Sequence, residues 1–244
     1  MGAVVGGVRP AYSRAMMATL SGISSMATRA LLAELADAYR ARSGVAAAFE
    51  SVGGVDAARR VQAGEPFDVV VLAADAIDKL AAAGRVLAES RTPLVRSGVA
   101  IAVPAGAPRP DVSTAGALRE AVRAARSIGY STGPSGVALL ALFEHWGLTA
   151  ELKPRLVQAP AGVPVGTLLA RGDVSLGFQQ LSELMHVEGI DLLGPMPPGV
   201  EIDTTFTAAV CAASARADAA RALIEFLAGP QADAARRRQG MTPA

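Results

Sequence analysis

The sequence predicts an α/β protein of two lobes, each a mainly parallel sheet flanked by helices, with two crossovers between the lobes. Strand-like runs alternate with helical patterns along most of the chain, which is typical of strand–helix–strand units. A stretch rich in proline and glycine, PAGAPRPD at 104–111, interrupts the alternation near the middle and marks a crossover. The closing strand and helix, at 204–212 and 217–227, rejoin the first lobe most economically.

The first lobe starts with a strand at 18–25. The helix that follows places Leu31, Leu35 and Ala38 on one face, and Ser43-Gly44 ends it. The same two periodicities then recur. They predict a strand at 45–49, a helix at 57–62, a buried strand at 67–73 (FDVVVLA) and a helix at 76–83.

The second lobe starts with the crossover strand at 98–103, which Pro104 ends. The patterns after it predict helices at 115–125, 135–146 and 166–170, strands at 128–130 and 174–179, and a turn-rich return at 195–200. We therefore expect lobe one at 17–97 and 201–244, lobe two at 98–200, and a flexible tail at 1–16.

Composition excludes several classes of function. The 244 residues are 51% hydrophobic with a formal net charge of +1, so the chain has a large core and no field that would hold nucleic acid. Cys211 is the single cysteine, which excludes an internal disulfide and a cysteine-rich zinc site. No run of apolar residues is long enough to span a bilayer. The start lacks a signal-peptide pattern, so we expect a cytoplasmic protein as written, and a periplasmic one if the start is misassigned.

Four short loops, 23–28, 51–56, 131–136 and 178–180, each lie between a strand-like run and a helical pattern. Their small residues, hydroxyls and glycines leave backbone N–H groups uncovered at helix starts, where the partial positive charge favours a bound anion. Helix capping is the alternative role for Ser24 and Ser25, and a tight turn is the alternative for Gly53-Gly54. The loops together predict one anion cleft.

The order of these units resembles that of the molybdate-binding branch of type II periplasmic binding proteins. The motifs that carry the resemblance are SSMAT at 24–28, GGVDAARRVQAGEPFDVVVLA at 53–73, GPSG at 133–136 and ALIEFLAGPQADAARRRQG at 222–240. The resemblance implies two lobes that close like a clamshell on a small anion. Within the wider group, the aconitate isomerase-like subgroup is the relative that the chain resembles by its pocket.

The family's oxyanion pocket implies roles for particular positions. Ser25 matches a first-loop serine, and Pro134-Ser135 matches a backbone amide that follows a proline. The hydroxyl expected in the second loop falls among Gly53, Gly54 and Val55, and the family's tyrosine falls at or near Gln180. These two departures weaken the molybdate interpretation, because a desolvated oxyanion needs dense donors.

Arginines point to carboxylates instead, because a guanidinium offers paired N–H donors that match two oxygens. Arg60 and Arg96 are the better candidates, whereas Arg29 and Arg59 are expected on solvated helix faces. The predicted ligand is thus a small polycarboxylate, alternatively a molybdate-type oxyanion. The predicted binding residues are Ser24, Ser25, Gly53, Gly54, Arg60, Arg96, Ser135 and Gln180.

Two functions follow. In the first, an isomerase shifts an allylic proton of cis- or trans-aconitate without a cofactor, with Glu50 or Asp56 as the base and Tyr130 or Asp203 in reserve. In the alternative, the same cleft captures an anion for the permease of an ABC transporter. No metal is expected, because the only histidines, His145 and His186, have no second ligand at metal-binding spacing.

Overall fold

The computed structural model describes residues 19–244, and the predicted tail at 1–16 lies outside them. The strands are β1 (Leu20–Ser25), β2 (Ala47–Val52), β3 (Val69–Ala73), β4 (Thr92–Pro104), β5 (Ile128–Tyr130), β6 (Leu156–Gln158), β7 (Leu176–Gln180), β8 (Ile190–Pro195), β9 (Asp203–Val210) and β10 (Met241–Pro243). The helices are α1 (Arg29–Ser43), α2 (Gly54–Gln62), α3 (Ala74–Ala82), α4 (Ala115–Ala124), α5 (Pro134–His145), α6 (Thr149–Leu152), α7 (Val165–Arg171), α8 (Leu181–Leu184), α9 (Ala217–Ala228) and α10 (Asp233–Arg238).

One long strand is common to both lobes. β4 pairs with β9 from Thr92 to Gly98 and with β7 and β8 from Val99 to Pro104, so its partners change between Gly98 and Val99. The strands follow the order β2-β1-β3-β9-β4-β7-β5-β6, with β10 and β8 also paired to β4. The chain returns from lobe two beside β4, where Val99 bonds Met196 and Ile202. The predicted boundaries of the lobes stay predictions.

Each half of the sheet carries a core on both faces. In β3, Val69 and Val71 point into the core beneath α1 and α9, while Val70 and Leu72 point into the core beneath α2 and α3. This alternation explains why β3 itself, VVVLA, is apolar throughout, since a strand covered on both faces has no solvent-facing side. The second lobe repeats the arrangement, with α4 and α5 on one face and α7 and α8 on the other.

Most predicted elements are confirmed with shifts of a few residues at their ends. The strand at 128–130 has the predicted bounds, and α1 ends at Gly44, whose φ of 76° is the left-handed conformation that glycine adopts readily. The sheets, however, are mixed rather than mainly parallel. β1, β2 and β3 pair in parallel, as do β5, β6 and β7, but the crossover strands β4 and β9 pair antiparallel because the chain passes between the lobes in both directions.

Three strands were not predicted. β6 and β10 have only three residues each, and β8 is half-buried along its length, so none presents a clear alternation of apolar and polar residues. β8 and β10 form because each of them pairs with β4. Tertiary pairing, rather than local sequence, determines these elements.

A buried carboxylate ties the far end of lobe one together. Asp68, which is 4% exposed, accepts hydrogen bonds from the Ser21 amide at 2.8 Å and the Ser214 hydroxyl at 2.7 Å, and it pairs with Arg216. Burial acts to raise the pKa of Asp68, but these donors outweigh it, and the pKa lies below its ordinary value. The carboxylate thereby joins β1, β3 and the segment that leads into α9.

We predict that Asp68→Asn lowers the free energy of unfolding at pH 7 by about 2 kcal/mol, because an amide cannot replace the charge-assisted bonds. Since the folded pKa is depressed, this contribution is present above the ordinary carboxyl pKa and is lost as pH falls through the folded value. Urea denaturation from pH 3 to pH 8 measures it. The control is Asp75→Asn, because the Asp75 side chain is 63% exposed with its nearest cation 3.8 Å away. Equal stability of the two variants at pH 7 would contradict the prediction.

Candidate functional site

A cleft of about 810 Å³ opens between the lobes. Lobe one contributes Ser25 to Ala27, Gly53 to Val55 and the first turn of α3, and lobe two contributes the loop Ser131–Ser135. Gln179, Gln180 and Glu183 line the cleft near the strand that joins the lobes. Three of the four predicted loops therefore meet here through their central residues, and the fourth meets them through both of its glutamines.

Several helices begin at this cleft without a side-chain cap. α2 starts after Gly53, α3 after Ala73, α5 after Gly133, and the 3-10 turn Met26–Thr28 after Ser25; none of these preceding residues makes a capping hydrogen bond through its side chain. The first amides of a helix lack intrahelical acceptors and carry the positive end of its dipole. The cleft thus presents converging N–H donors from both lobes, which is the arrangement that an anion needs.

Ser25 places a hydroxyl without a partner in the same cleft. The residue is 8% exposed, and its Oγ is buried with no hydrogen-bond partner in the described part of the chain. Ser24, by contrast, does not line the cleft. Its Oγ lies 2.9 Å from Ser51 Oγ and joins the ends of β1 and β2, which are parallel neighbours. Ser25 is therefore available to a ligand, and Ser24 has a structural role.

The loop before α5 is held close to the helix it precedes. Pro134 has no N–H, and the Gly136 and Val137 amides both point to Gly133 O, which leaves the Ser135 amide at the cleft. A Cβ on Gly136 would lie 1.9 Å from the Ser131 carbonyl oxygen, so only glycine permits this approach. The hydroxyls of Ser131 and Ser135 are 3.0 Å apart.

Gln180 lies where the lobes meet. Its Nε2 donates to Thr204 Oγ1 at 2.9 Å, while its Oε1 is buried with no partner among the described residues. Thr204 belongs to β9 of lobe one, so this bond links the end of β7 to the other lobe. The position at or near which the resembled family has a tyrosine is thus filled by an amide that bonds to β9.

Glu183 was not among the predicted site residues. Its half-buried carboxyl lines the cleft from α8, and Oε1 accepts a 2.8 Å hydrogen bond from Gln179 Nε2. Burial raises the pKa of Glu183 to about 7, although the Gln179 bond acts to lower it. The signal that could have identified it is its place one helical turn after the glutamine pair that ends the strand.

Two predicted arginines lie elsewhere. Arg60 is held between Glu50, at 2.5 Å, and Glu65, at 2.7 Å, on the outer side of α2, and its guanidinium stacks 5.1 Å from the centre of the Phe67 ring. Arg96 pairs with Asp203 at 3.2 Å on exposed β-strand positions. Neither lines the cleft, because nearby carboxylates hold both guanidinium groups away from it.

Other cations take their place at the rim. Arg59 and Lys79 line the cleft from α2 and α3, with side chains 76% and 81% exposed. Each forms an exposed ion pair with an acidic residue on its own helix, Arg59 with Asp56 and Lys79 with Asp75. Solvated cations of this kind can reorient toward a ligand at little energetic cost.

The residues that were predicted as catalytic bases also lie outside the main cleft. Glu50 bonds Arg60, which lowers the pKa of its carboxyl, and Asp56 pairs with Arg59 in a side pocket next to the cleft. Asp203 is the partner of Arg96, and Tyr130 packs against the core of lobe two. None of these four is among the residues that line the main cleft.

Within residues 19–244, no group of three or more His, Cys, Asp or Glu side chains is placed to hold a metal ion. His186 instead lies 3.0 Å from Gln239, through its Nε2. The described helices also include none that combines the length and apolarity needed to cross a membrane.

The chain matches one known protein family over almost all of its described residues. Residues 20–242 match the family model described as bacterial extracellular solute-binding protein. The chain belongs to this family. One curated relative, the aconitate isomerase of a Pseudomonas species, is 37% identical over 249 residues, an alignment that covers 100% of this chain and 95% of the relative.

Solved structures of the solute-binding family share the two-lobed fold. The periplasmic molybdate-binding protein of Azotobacter vinelandii aligns with a TM-score of 0.77 and 21% identity, over 91% of this chain and 98% of that one. The sulfate-binding protein of Mycobacterium tuberculosis aligns with a TM-score of 0.75 and 18% identity, over 93% and 87%. The predicted two-lobed fold of periplasmic binding proteins is therefore confirmed.

We predict that Ser25→Ala leaves the free energy of unfolding within about 0.5 kcal/mol of wild type, because the lost hydroxyl has no partner. The same change should weaken anion binding about tenfold, the effect of losing one hydrogen bond to a charged ligand. Thermal shifts with trans-aconitate, citrate, sulfate and molybdate test this. Ser24→Ala is the control, because Ser24 bonds protein atoms and does not line the cleft. An undiminished shift in Ser25→Ala would contradict the prediction.

Proposed function

We propose that this chain binds a small polycarboxylate in the cleft and isomerises it by an allylic proton shift, interconverting cis- and trans-aconitate. The observation that carries the anion-binding part of the proposal is the set of uncapped helix starts that meet at the cleft from both lobes. A tricarboxylate has anionic groups at several points of its skeleton, and donors from two sides match that distribution. The full-length similarity to an aconitate isomerase supports the choice of substrate.

The walls of the cleft also favour a ligand with a carbon skeleton. Val55 and Val137 are exposed, at 63% and 67%, and both line the cleft in the first turn of a helix, one from each lobe. Leu72, Ala138 and Phe206 add apolar surface deeper in. Apolar walls with a few placed polar groups are typical of sites for organic ligands. A tetrahedral oxyanion makes no use of such walls.

Transport is the second candidate. The family description, extracellular solute-binding protein, and the molybdate- and sulfate-binding structures favour capture of an inorganic anion for a permease. The two functions differ in their chemistry, since a transport protein binds its ligand without breaking a C–H bond. A gene for a permease next to the gene for this protein would favour transport, and activity on an unsaturated tricarboxylate would favour the isomerase.

The test of the proposal is turnover. Purified protein incubated with trans-aconitate in deuterated water should form cis-aconitate, and NMR should follow the signals of both isomers to equilibrium. No conversion from either isomer would contradict the isomerase. A ligand at one hundred times its Kd stabilises by about 2.7 kcal/mol, so thermal shifts with the same anions then identify what binds. A shift with molybdate alone, in a protein without turnover, would support transport.

We predict that Val137→Asp weakens binding of trans-aconitate at least about tenfold, because it adds a negative charge at the mouth of the cleft. Val137 is mostly exposed, so the fold should tolerate the change. Titration calorimetry measures the affinity. The control is Ser113→Asp, which adds the same charge at an exposed position outside the cleft. Equal affinity in the two variants would exclude binding near α5.

A further inference from the structure

We infer that Glu183 is the base that moves the allylic proton, and that Gln179 is the residue that positions it. The inference rests on the proposed isomerase function and adds to it the group that performs the proton transfer. Of the carboxylates that line the cleft, Asp75 is solvated at the rim, whereas Glu183 is half-buried beside the strand that ends at Gln180. A base that abstracts a weakly acidic proton needs this inner position, close to the substrate and shielded from water.

The hydrogen bonds around Gln179 determine the orientation of the Glu183 carboxyl. Gln179 is 3% exposed, and its Oε1 accepts from the backbone N–H groups of Val165, at 2.8 Å, and Gly166, at 3.4 Å. Two amide donors require an oxygen acceptor, so the side-chain nitrogen must face the other way, toward Glu183 Oε1 at 2.8 Å. The start of α7 thus fixes Gln179, and Gln179 fixes one carboxyl oxygen. The second oxygen remains available to the substrate.

The element that carries Glu183 is anchored to both lobes. α8 follows β7 directly, and the neighbouring Ser182 donates to the Ala27 carbonyl of lobe one at 2.8 Å. Ala27 belongs to the 3-10 turn whose amides open onto the cleft. The carboxyl is therefore held at a fixed position relative to an anion bound at that turn, as proton transfer requires.

No nearby charge opposes this role. The elements that pack most extensively against α8 are β4, β7, α7 and the 3-10 turn, and their charged side chains are Arg96, which pairs with Asp203, and Arg171 at the far end of α7. Leu181 also lies against Gly240, and His186, one turn after Glu183, contacts Gln239. Arg59, Asp75 and Lys79 face the cleft from lobe one. The pKa of Glu183 is raised to about 7 by burial and lowered in part by Gln179, with no contribution from these charges. The carboxyl can accordingly accept and return a proton near neutral pH.

The reaction balances with this one group. The Glu183 carboxylate takes a proton from the substrate methylene carbon, and the electron pair of that C–H bond becomes part of a π system extended over the substrate carboxylates. The cleft amides stabilise the negative charge that develops there. The protonated Glu183 then returns a proton to the former vinyl carbon. One proton and one double bond change place, and no oxidant or cofactor enters.

The test compares Glu183→Gln with Glu188→Gln, a control on the same segment that is exposed and does not line the cleft. In Glu183→Gln we expect kcat to fall about 10²- to 10⁴-fold, the usual contribution of a general base. KM for trans-aconitate should not rise, because the change removes a negative charge from an anion site. Turnover of Glu183→Gln within about threefold of the control would overturn the inference.

A pH profile separates catalysis from support of the fold. The wild-type kcat/KM should increase with pH through about 7, as the Glu183 carboxyl ionises. Gln179→Glu keeps an oxygen acceptor for α7 but replaces the donor with a second acid, so this acid limb should move to higher pH. If Gln179→Glu lowers kcat/KM equally at every pH and the rise of kcat/KM stays at the same pH, Gln179 is only structural and its positioning role is overturned.

Two further outcomes keep the inference separate from the proposed function and from misfolding. A wild type that converts neither isomer overturns the isomerase and the inference together, whereas an active wild type with an active Glu183→Gln overturns only the inference. If Glu183→Gln does not fold, Glu183→Asp should keep reduced activity with the same acid limb. Carbon-13 NMR of labelled glutamate measures the Glu183 titration directly, and a midpoint near that of an ordinary glutamate would refute the assignment.

Discussion

The cleft depends on one property of helices, which is that their first amides have no acceptor within the helix. These donors are satisfied by side-chain caps, by water or by a ligand. Around the cleft, α2, α3 and α5 begin after glycine or alanine, residues that have no side chain able to accept such a bond. The unsatisfied donors and aligned dipoles of both lobes therefore point into one volume. Under the proposed function, an anion that bridges the lobes would compensate them, which would link ligand binding to the relative position of the lobes.

The same reasoning explains how much of the site could be predicted from the sequence. Ser25, Gly53, Gly54, Ser135 and Gln180 lie at junctions between strands and helices, and the topology of parallel strands brings such junctions to one edge. Their positions follow from local pattern alone. Their role in binding is still a prediction. Much of the strand and helix order could also be predicted, because Val69 to Ala73 and its counterparts are long apolar runs.

What could not be predicted depended on contacts between different elements, which the pattern within one element does not show. Arg60 and Arg96 carry the charge expected of a carboxylate site, but Glu50, Glu65 and Asp203 are close enough in space to bind them first. A guanidinium that is paired with a nearby carboxylate is not available to a ligand. The sequence pattern of α2 contains no information about Glu50 on β2. Glu183 is the converse case. Its burial arises from packing against α7 and the 3-10 turn, and the one local signal is its place one helical turn after the glutamine pair, which does not by itself show that the carboxyl is buried.

The position of Glu183 bears on the choice between transport and catalysis. A cleft that only captures a multiply charged anion gains nothing from a carboxylate in its interior, because ionisation at neutral pH would repel the ligand. Burial without a paired cation makes this group costly to ionise, yet the hydrogen bond from Gln179 holds it in a defined orientation. A group that can be neutral while the anion binds and ionised when a proton must be removed serves a reaction. We therefore regard Glu183, rather than the helix starts that such a cleft needs in either role, as the feature that favours an isomerase over a carrier.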